Sequence, residues 1–211
     1  SMGGFPALNN SGDDIILRNE SGTRLDSLRY TSEWGGDNVA LERRTTVVSG
    51  TFRENWSEAP NGWGTPGADN NVAADQTPPL FDSVTALDAT TLELNFSEKI
   101  TATSATEQQN YQISPDVGIQ LVSAEENEVT LYLTSELQSG ETYERTVYNI
   151  KDVFGNTLSR DTKPLDYLRI DKAGPGDVVI NEVLYNPGDG SDADFVELYN
   201  TTNKNFELSN W

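Results

Sequence analysis

Leu92, Leu94 and Phe96 alternate with Glu93 and Asn95, and Val129, Leu131 and Leu133 alternate with Thr130, Tyr132 and Thr134. A period of two is the period of a strand that buries one face and wets the other. Nothing else in the chain constrains its fold as tightly. Between Leu80 and Asp171 further short apolar groups follow the same rhythm: Tyr111 and Ile113; Ile119, Leu121 and Val122; then Tyr143, Val147 and Ile150. Turn signals recur about every ten residues among them, including Glu125-Glu126-Asn127-Glu128 and Gly140. Some seven short strands spaced in this way predict a two-layer antiparallel sandwich. The 17 Gly and 9 Pro, spread along the chain, favour short strands and turns over helices.

The two ends carry strands of their own. Val178, Val179, Ile180, Val183 and Leu184 form an apolar run of strand length. Phe195, Glu197 and Tyr199 alternate with Val196 and Leu198, so a second strand with one buried face is expected there. Asn186-Pro187-Gly188-Asp189-Gly190 between them holds the strongest turn chemistry in the chain. Asn200-Thr201-Thr202-Asn203 turns again, into a third expected strand with Phe206, Leu208 and Trp211. At the other end, Ile15 to Leu17 and Leu25 to Tyr30 flank a hairpin turn at Asn19-Glu20-Ser21-Gly22. Each end begins or finishes a sheet and leaves open edges and a half-covered face.

Three blocks near the C-terminus, Ile180-Asn181-Glu182-Val183, Phe195 to Asn200 and Leu208-Ser209-Asn210-Trp211, resemble the first strands of the lamin tail domain family. Leu8 to Leu17, Leu25 to Tyr30 and Leu41-Glu42-Arg43 resemble the middle of the same family. Asn55-Trp56-Ser57 and Gly64 to Asn70 resemble its close. The middle region is similar to the bacterial Ig-like domain of the S-layer protein type. Its carriers are Leu94 to Ile100, Asn110-Tyr111 and Asn149 to Leu158.

These resemblances imply an all-β fold class: two Ig-like β-sandwiches, one of them assembled from the N- and C-terminal segments, in cis or by swapping between molecules. They divide the chain into residues 1–71, the C-terminal half of a lamin-tail-like sandwich; a linker at 72–79; a bacterial Ig-like sandwich at 80–171; a linker at 172–177; and residues 178–211, the N-terminal half of a lamin-tail-like sandwich. Ser1-Met2 reads as a cloning remnant, and the chain as a piece of a parent that alternates the two modules.

Asp and Glu number 34 against 14 Lys and Arg, a formal charge of -20. That charge repels phosphate backbones and anionic lipid heads, which argues against nucleic-acid and membrane partners. No apolar run approaches the roughly 18 residues of a membrane helix. The absence of Cys excludes a disulfide framework and thiol catalysis. The absence of His removes the usual base of a nucleophilic triad and the commonest zinc ligand.

Two clusters remain as candidate sites. Trp34, Trp56 and Trp63 sit among Gly, Asn and Ser; they read as an aromatic rim over the end of a sandwich, or as a platform that stacks on sugars. Asp189, Asp192 and Asp194 place three carboxylates on one loop, as hard oxygen ligands for weak calcium binding or as a solvated acidic turn. No catalytic residue is assigned and no other cofactor is expected. The resemblance implies a non-catalytic structural or adhesive module of a bacterial secreted or cell-envelope protein; the alternative is a carbohydrate- or ligand-binding accessory domain of a larger extracellular hydrolase. The expected partner is a protein or a glycan, with a swapped homodimer as one route to completing the split sandwich.

Overall fold

The computed structural model describes residues 7–36, 38–185, 194–209 and 211. The chain is nearly all β, and it falls into two compact units: Ser1–Pro79 with Lys151–Leu158, and Leu80–Ile150 with Ser159–Trp211.

In the first unit, β1 (Gly12–Arg18) and β2 (Arg24–Thr31) form an antiparallel hairpin with Ile15 opposite Leu28. Its turn forms because the Asn19 carboxamide oxygen accepts the Thr23 N–H at 2.9 Å, while Gly22 takes the left-handed φ of 82°. A second two-stranded sheet pairs β3 (Leu41–Arg43) with β4 (Trp56–Glu58). Few apolar side chains are buried here; Val48, Ala59 and Pro79 are the buried ones among the described residues. Polar contacts take much of the load. Asn55 is wholly buried, and its carboxamide donates to the carbonyls of Thr45 and Val48 at 2.9 and 3.0 Å and accepts the Thr45 N–H at 3.1 Å. Every face of that amide is used, which is what makes its burial affordable.

The second unit holds three sheets, the two larger of which form its core. One has the order β5 (Phe81–Ala86), β6 (Thr91–Phe96), β9 (Glu128–Leu133), β8 (Ile119–Glu125). The other has the order β11 (Thr157–Tyr167), β10 (Glu141–Lys151), β7 (Tyr111–Ser114). The alternation read from the sequence decides which side chains go inward. Leu92, Leu94 and Phe96 on β6 and Val129, Leu131 and Leu133 on β9 are buried, as are Tyr111, Ile113, Tyr143, Val147 and Ile150 on the other sheet. Phe81 packs against Phe96 with ring centroids 5.6 Å apart. Each such side chain contributes at most about 1.5–3 kcal/mol by leaving water, so a dozen of them make this sandwich the main source of apolar stability.

Two features here escaped the sequence reading. β11 was not expected as a strand, because Arg160, Asp161, Lys163 and Pro164 break any apolar alternation; it is instead a half-buried edge strand. Arg145 sits on β10 opposite Ile113, at the same parity as Tyr143 and Val147, and so points into the core. The β10–β11 connection is a tight turn. The Asp152 carboxylate accepts the backbone N–H groups of Phe154 and Asn156, both at 2.8 Å, and Gly155 takes φ 96°.

β12 (Val178–Leu184) and β13 (Phe195–Asn200) form a two-stranded sheet with a bulge between Ile180 and Glu182. The expected buried face is not found: every described side chain of β13, and all of β12 after Val178, is exposed. The expected third strand is also missing among the described residues from 201 to 211. The physical reason is that this segment turns back along the residues before β12. The Asp171 N–H donates to the Asn205 carbonyl at 2.7 Å, Lys204 pairs with Asp177 at 2.8 Å, and the Thr201 N–H donates to the Asp177 carbonyl at 2.9 Å. Residues 172–177 are therefore anchored through Asp177 rather than free.

Candidate functional site

Of the three tryptophans singled out, the structure brings two together and leaves the third apart in exposure. Trp56 is half-buried on β4 and donates its indole N–H to the Gly50 carbonyl at 2.8 Å. Trp34 is half-buried after β2, with the Arg53 guanidinium 5.2 Å from its ring centroid. Arg53 also donates to the carbonyls of Trp56 at 2.8 Å and Trp34 at 3.3 Å, so one cation ties both aromatic segments. Trp63 stands 80% exposed on a short loop held by the reciprocal pair Asn61–Gly64, both hydrogen bonds at 2.9 Å. A buried rim of all three rings is thus not what forms; Trp34 and Trp56 are half-buried, with Arg53 over the Trp34 ring, and Trp63 is exposed.

Beside Trp56 lies an open groove of about 600 Å³. Ile15, Leu28, Val39, Leu41 and Trp56 give it an apolar lining, and Tyr30 adds a phenol. Among the described residues its lining includes no Asp, Glu, Lys or Arg.

No periodicity or motif marks the polar frame around this region in advance. Asp26 accepts the Ser27 N–H at 2.9 Å and pairs with Arg43 at 2.6 Å; these contacts hold its carboxyl below the usual range. Arg43 also donates to the carbonyls of Thr45 and Val48. Glu42 is buried, accepting the Thr65 hydroxyl at 2.6 Å and the Asn71 N–H at 2.8 Å, and the Thr65 contact leads in lowering its pKa. In a chain this rich in Asp, Glu and Asn, composition cannot mark which ones are buried; the position of Glu42 between Leu41 and Arg43 on a short strand was the one available signal.

Of the three acidic loop residues, Asp189 and Asp192 lie outside the described residues, and Asp194 is exposed at the start of β13. In the sandwich, Arg145 is 1% exposed. None of its guanidinium nitrogens has a hydrogen-bond partner among the described residues, and the Tyr143 ring lies 5.2 Å away. Burial lowers its pKa to about 10.

Comparison with known families and structures follows this division. The model of the bacterial Ig-like domain family matches residues 70–167, and that of the Lamin Tail Domain family matches residues 171–211. Neither match includes residues 5–69. No curated protein was found to match the chain. Solved structures similar to it include three of S-layer proteins. The N-terminal part of the bacterial S-layer protein SbsC is 21% identical, over 50% of this chain and 26% of that one, with a TM-score of 0.43. The S-layer protein rSbsC(31-844) is 23% identical, over 50% of this chain and 15% of that one, with a TM-score of 0.41. Domains 1-6 of surface layer protein SbsC are 23% identical, over 50% and 15%, with a TM-score of 0.42. The chain thus spans between 15% and 26% of the length of those structures.

Proposed function

We propose that this chain is a non-catalytic structural module of a bacterial secreted or cell-envelope protein, in which a packed Ig-like sandwich acts as a spacer between lamin-tail-like elements. The observation that carries the reading is the pair of adjacent family matches, bacterial Ig-like at 70–167 and Lamin Tail Domain at 171–211. No helix among the described residues is long and apolar enough to cross a membrane. Residues 5–71 and 178–211 are read as the closing and opening halves of lamin-tail-like sandwiches, each completed by a matching half. Weak calcium binding at Asp189, Asp192 and Asp194 belongs to the same proposal, as does the absence of nucleic-acid partners.

Two experiments test it. Protease treatment of intact source cells, probed with antibody to residues 80–167, should remove the signal; full protection would overturn the surface location. Incubation with envelope polysaccharides should release no new reducing ends, and turnover that survives repurification would overturn the non-catalytic reading. A second reading, carbohydrate binding, is favoured by the exposed ring of Trp63. It predicts glycan-array signals that Trp63→Ala abolishes.

A further inference from the structure

Asn61-Gly62 is the one place in the chain where Asn is followed by Gly. The carboxamide carbon of an asparagine is an electrophile within reach of the next residue's backbone nitrogen, and attack there closes a five-membered ring. A side chain on the following residue crowds that approach, and glycine has none. The surroundings add no crowding of their own. A Cβ at position 62 would find only the Asn38 carbonyl oxygen within 4 Å, at 3.9 Å, among the described residues. Asn61 itself is exposed, on the loop that carries Trp63.

The fold restrains both reacting groups. The Asn61 carboxamide donates to the Gly64 carbonyl and accepts the Gly64 N–H, both at 2.9 Å, so its two polar atoms are committed to a residue beyond the nitrogen it must meet. Gly62 donates its N–H to the Ala59 carbonyl at 2.8 Å. That bond favours the neutral amide over the anion that attacks. The Gly62 carbonyl accepts the Ala40 N–H at 2.7 Å, and left-handed φ values of 78° at Gly62 and 76° at Gly64 complete the turn around Trp63. We propose that Asn61 is a deamidation site gated by this loop. It reacts when the Asn61–Gly64 clasp and the Gly62–Ala59 bond open locally, and its conversion then removes the clasp for good.

In the open loop the Gly62 nitrogen loses its proton to solvent and bonds to Cγ of Asn61. The Cγ–Nδ2 bond breaks, and Nδ2 takes a proton from water and leaves as ammonia. The succinimide that remains is opened by water. Opening at Cγ gives aspartate with the original chain path; opening at the main-chain carbonyl gives isoaspartate, whose backbone runs through the side chain and is one carbon longer. Nothing is oxidised or reduced, and water is the only co-reactant. Either product puts a carboxylate where Nδ2 donated, so the Gly64 carbonyl loses its donor and faces an acceptor instead. The longer backbone of isoaspartate also displaces the Gly62 N–H and carbonyl from Ala59 and Ala40. The Trp63 loop is therefore a one-way device that loosens with elapsed time.

The test is peptide mapping by mass spectrometry of the full chain, aged in mildly alkaline buffer with and without denaturing urea, following the amide-to-acid mass change at each Asn. In urea Asn61 should convert before every other Asn, and Gly62→Ala should slow it by crowding the attack. In the folded chain the same conversion should proceed at least about tenfold more slowly, the factor that one to three ordinary hydrogen bonds impose on opening. Amide hydrogen exchange at Ala40 and Gly62 should be faster in the aged protein and in Asn61→Asp than in fresh wild type. If another Asn reacts first in urea, or if Asn61 never converts in the folded chain, the site is wrong. Equal rates in the two buffers would overturn the gate. Unchanged exchange in both the aged protein and Asn61→Asp would overturn the release of the loop.

Discussion

Strands β6 and β12 have similar apolar content and opposite fates. In β6 the alternating Leu92, Leu94 and Phe96 are all buried, while in β12 Val179, Ile180, Val183 and Leu184 are all exposed. Local pattern makes both into strands, but only a facing layer turns an apolar side into a core. β6 lies between β5 and β9 in a four-stranded sheet with a second sheet to pack against; β12 has β13 alone. Three or more strands with a covered face are what independent stability requires, and an isolated hairpin falls short of it. The contrast separates what a sequence says about secondary structure from what it says about packing.

The sharpest way to break this comparison is to truncate the same kind of side chain in both places. Phe96→Ala should cost about 3–5 kcal/mol, the range for removing a buried ring. Ile180→Ala, at an exposed site in the monomer, should stay within about 0.5 kcal/mol in dilute solution. The chain offers a convenient readout, since all four Trp lie outside residues 80–167. Far-UV circular dichroism will follow the sandwich and tryptophan fluorescence the flanking segments. Phe96→Ala should move the dichroism midpoint in urea and leave the fluorescence transition in place. Equal costs at the two sites would show that β12 is already covered.

A second substitution probes the sandwich from the opposite direction. Arg145 is a buried cation with an aromatic neighbour and no hydrogen bonds among the described residues. Buried charge is costly when its donors go unmet, and replacing buried ionic groups with apolar ones of similar volume is often neutral or stabilising by about 1–4 kcal/mol. Arg145→Met should therefore raise the urea midpoint of the dichroism transition. A marked fall would mean that the guanidinium has a partner essential to the fold.

How much of this was readable in advance depends on which physical signal each element carries. The alternation in β6 and β9 and the Asn19–Gly22 turn are local, and each formed as expected. The Trp residues were visible as types, but how a ring is held depends on distant groups, such as Arg53 over Trp34 and the Gly50 carbonyl that accepts the Trp56 indole N–H. Asn55 and Glu42 are buried against their composition, because their partners Val48 and Thr65 come from loops without periodicity. The third C-terminal strand failed for a similar reason. Phe206, Leu208 and Trp211 have strand-like spacing, but the hydrogen bonds of Asn205 with Arg169 and Asp171 bend the chain first.

The smallest expected effect concerns acid, and it bears on the polar half of the comparison. The first unit relies on carboxylates whose pKa values lie below their ordinary ones of 3.8 for Asp26 and 4.5 for Glu42. For Asp26 the Ser27 N–H is the leading cause and the Arg43 pair adds to it; for Glu42 the Thr65 hydroxyl leads, followed by the Asn71 N–H. With folded values depressed, the contribution is full above the unfolded pKa, where both states are ionised. As pH falls through that window the unfolded chain takes up protons first, so stability drops, and below the folded pKa the contribution is gone. The tryptophan-reported transition should therefore shift to lower temperature as pH falls below about 4.5. Glu42→Gln, which keeps the shape and removes the charge, should flatten that dependence while lowering stability at neutral pH. The second unit has depressed carboxylates of its own, Asp88 held down chiefly by the Thr90 N–H and Asp177 chiefly by Lys204, so its dichroism transition should also move to lower temperature over this range. Glu42→Gln should flatten the tryptophan-reported dependence alone; if it flattened both, the two units would be unfolding as one, and their separation into a polar frame and an apolar core would have no thermodynamic counterpart.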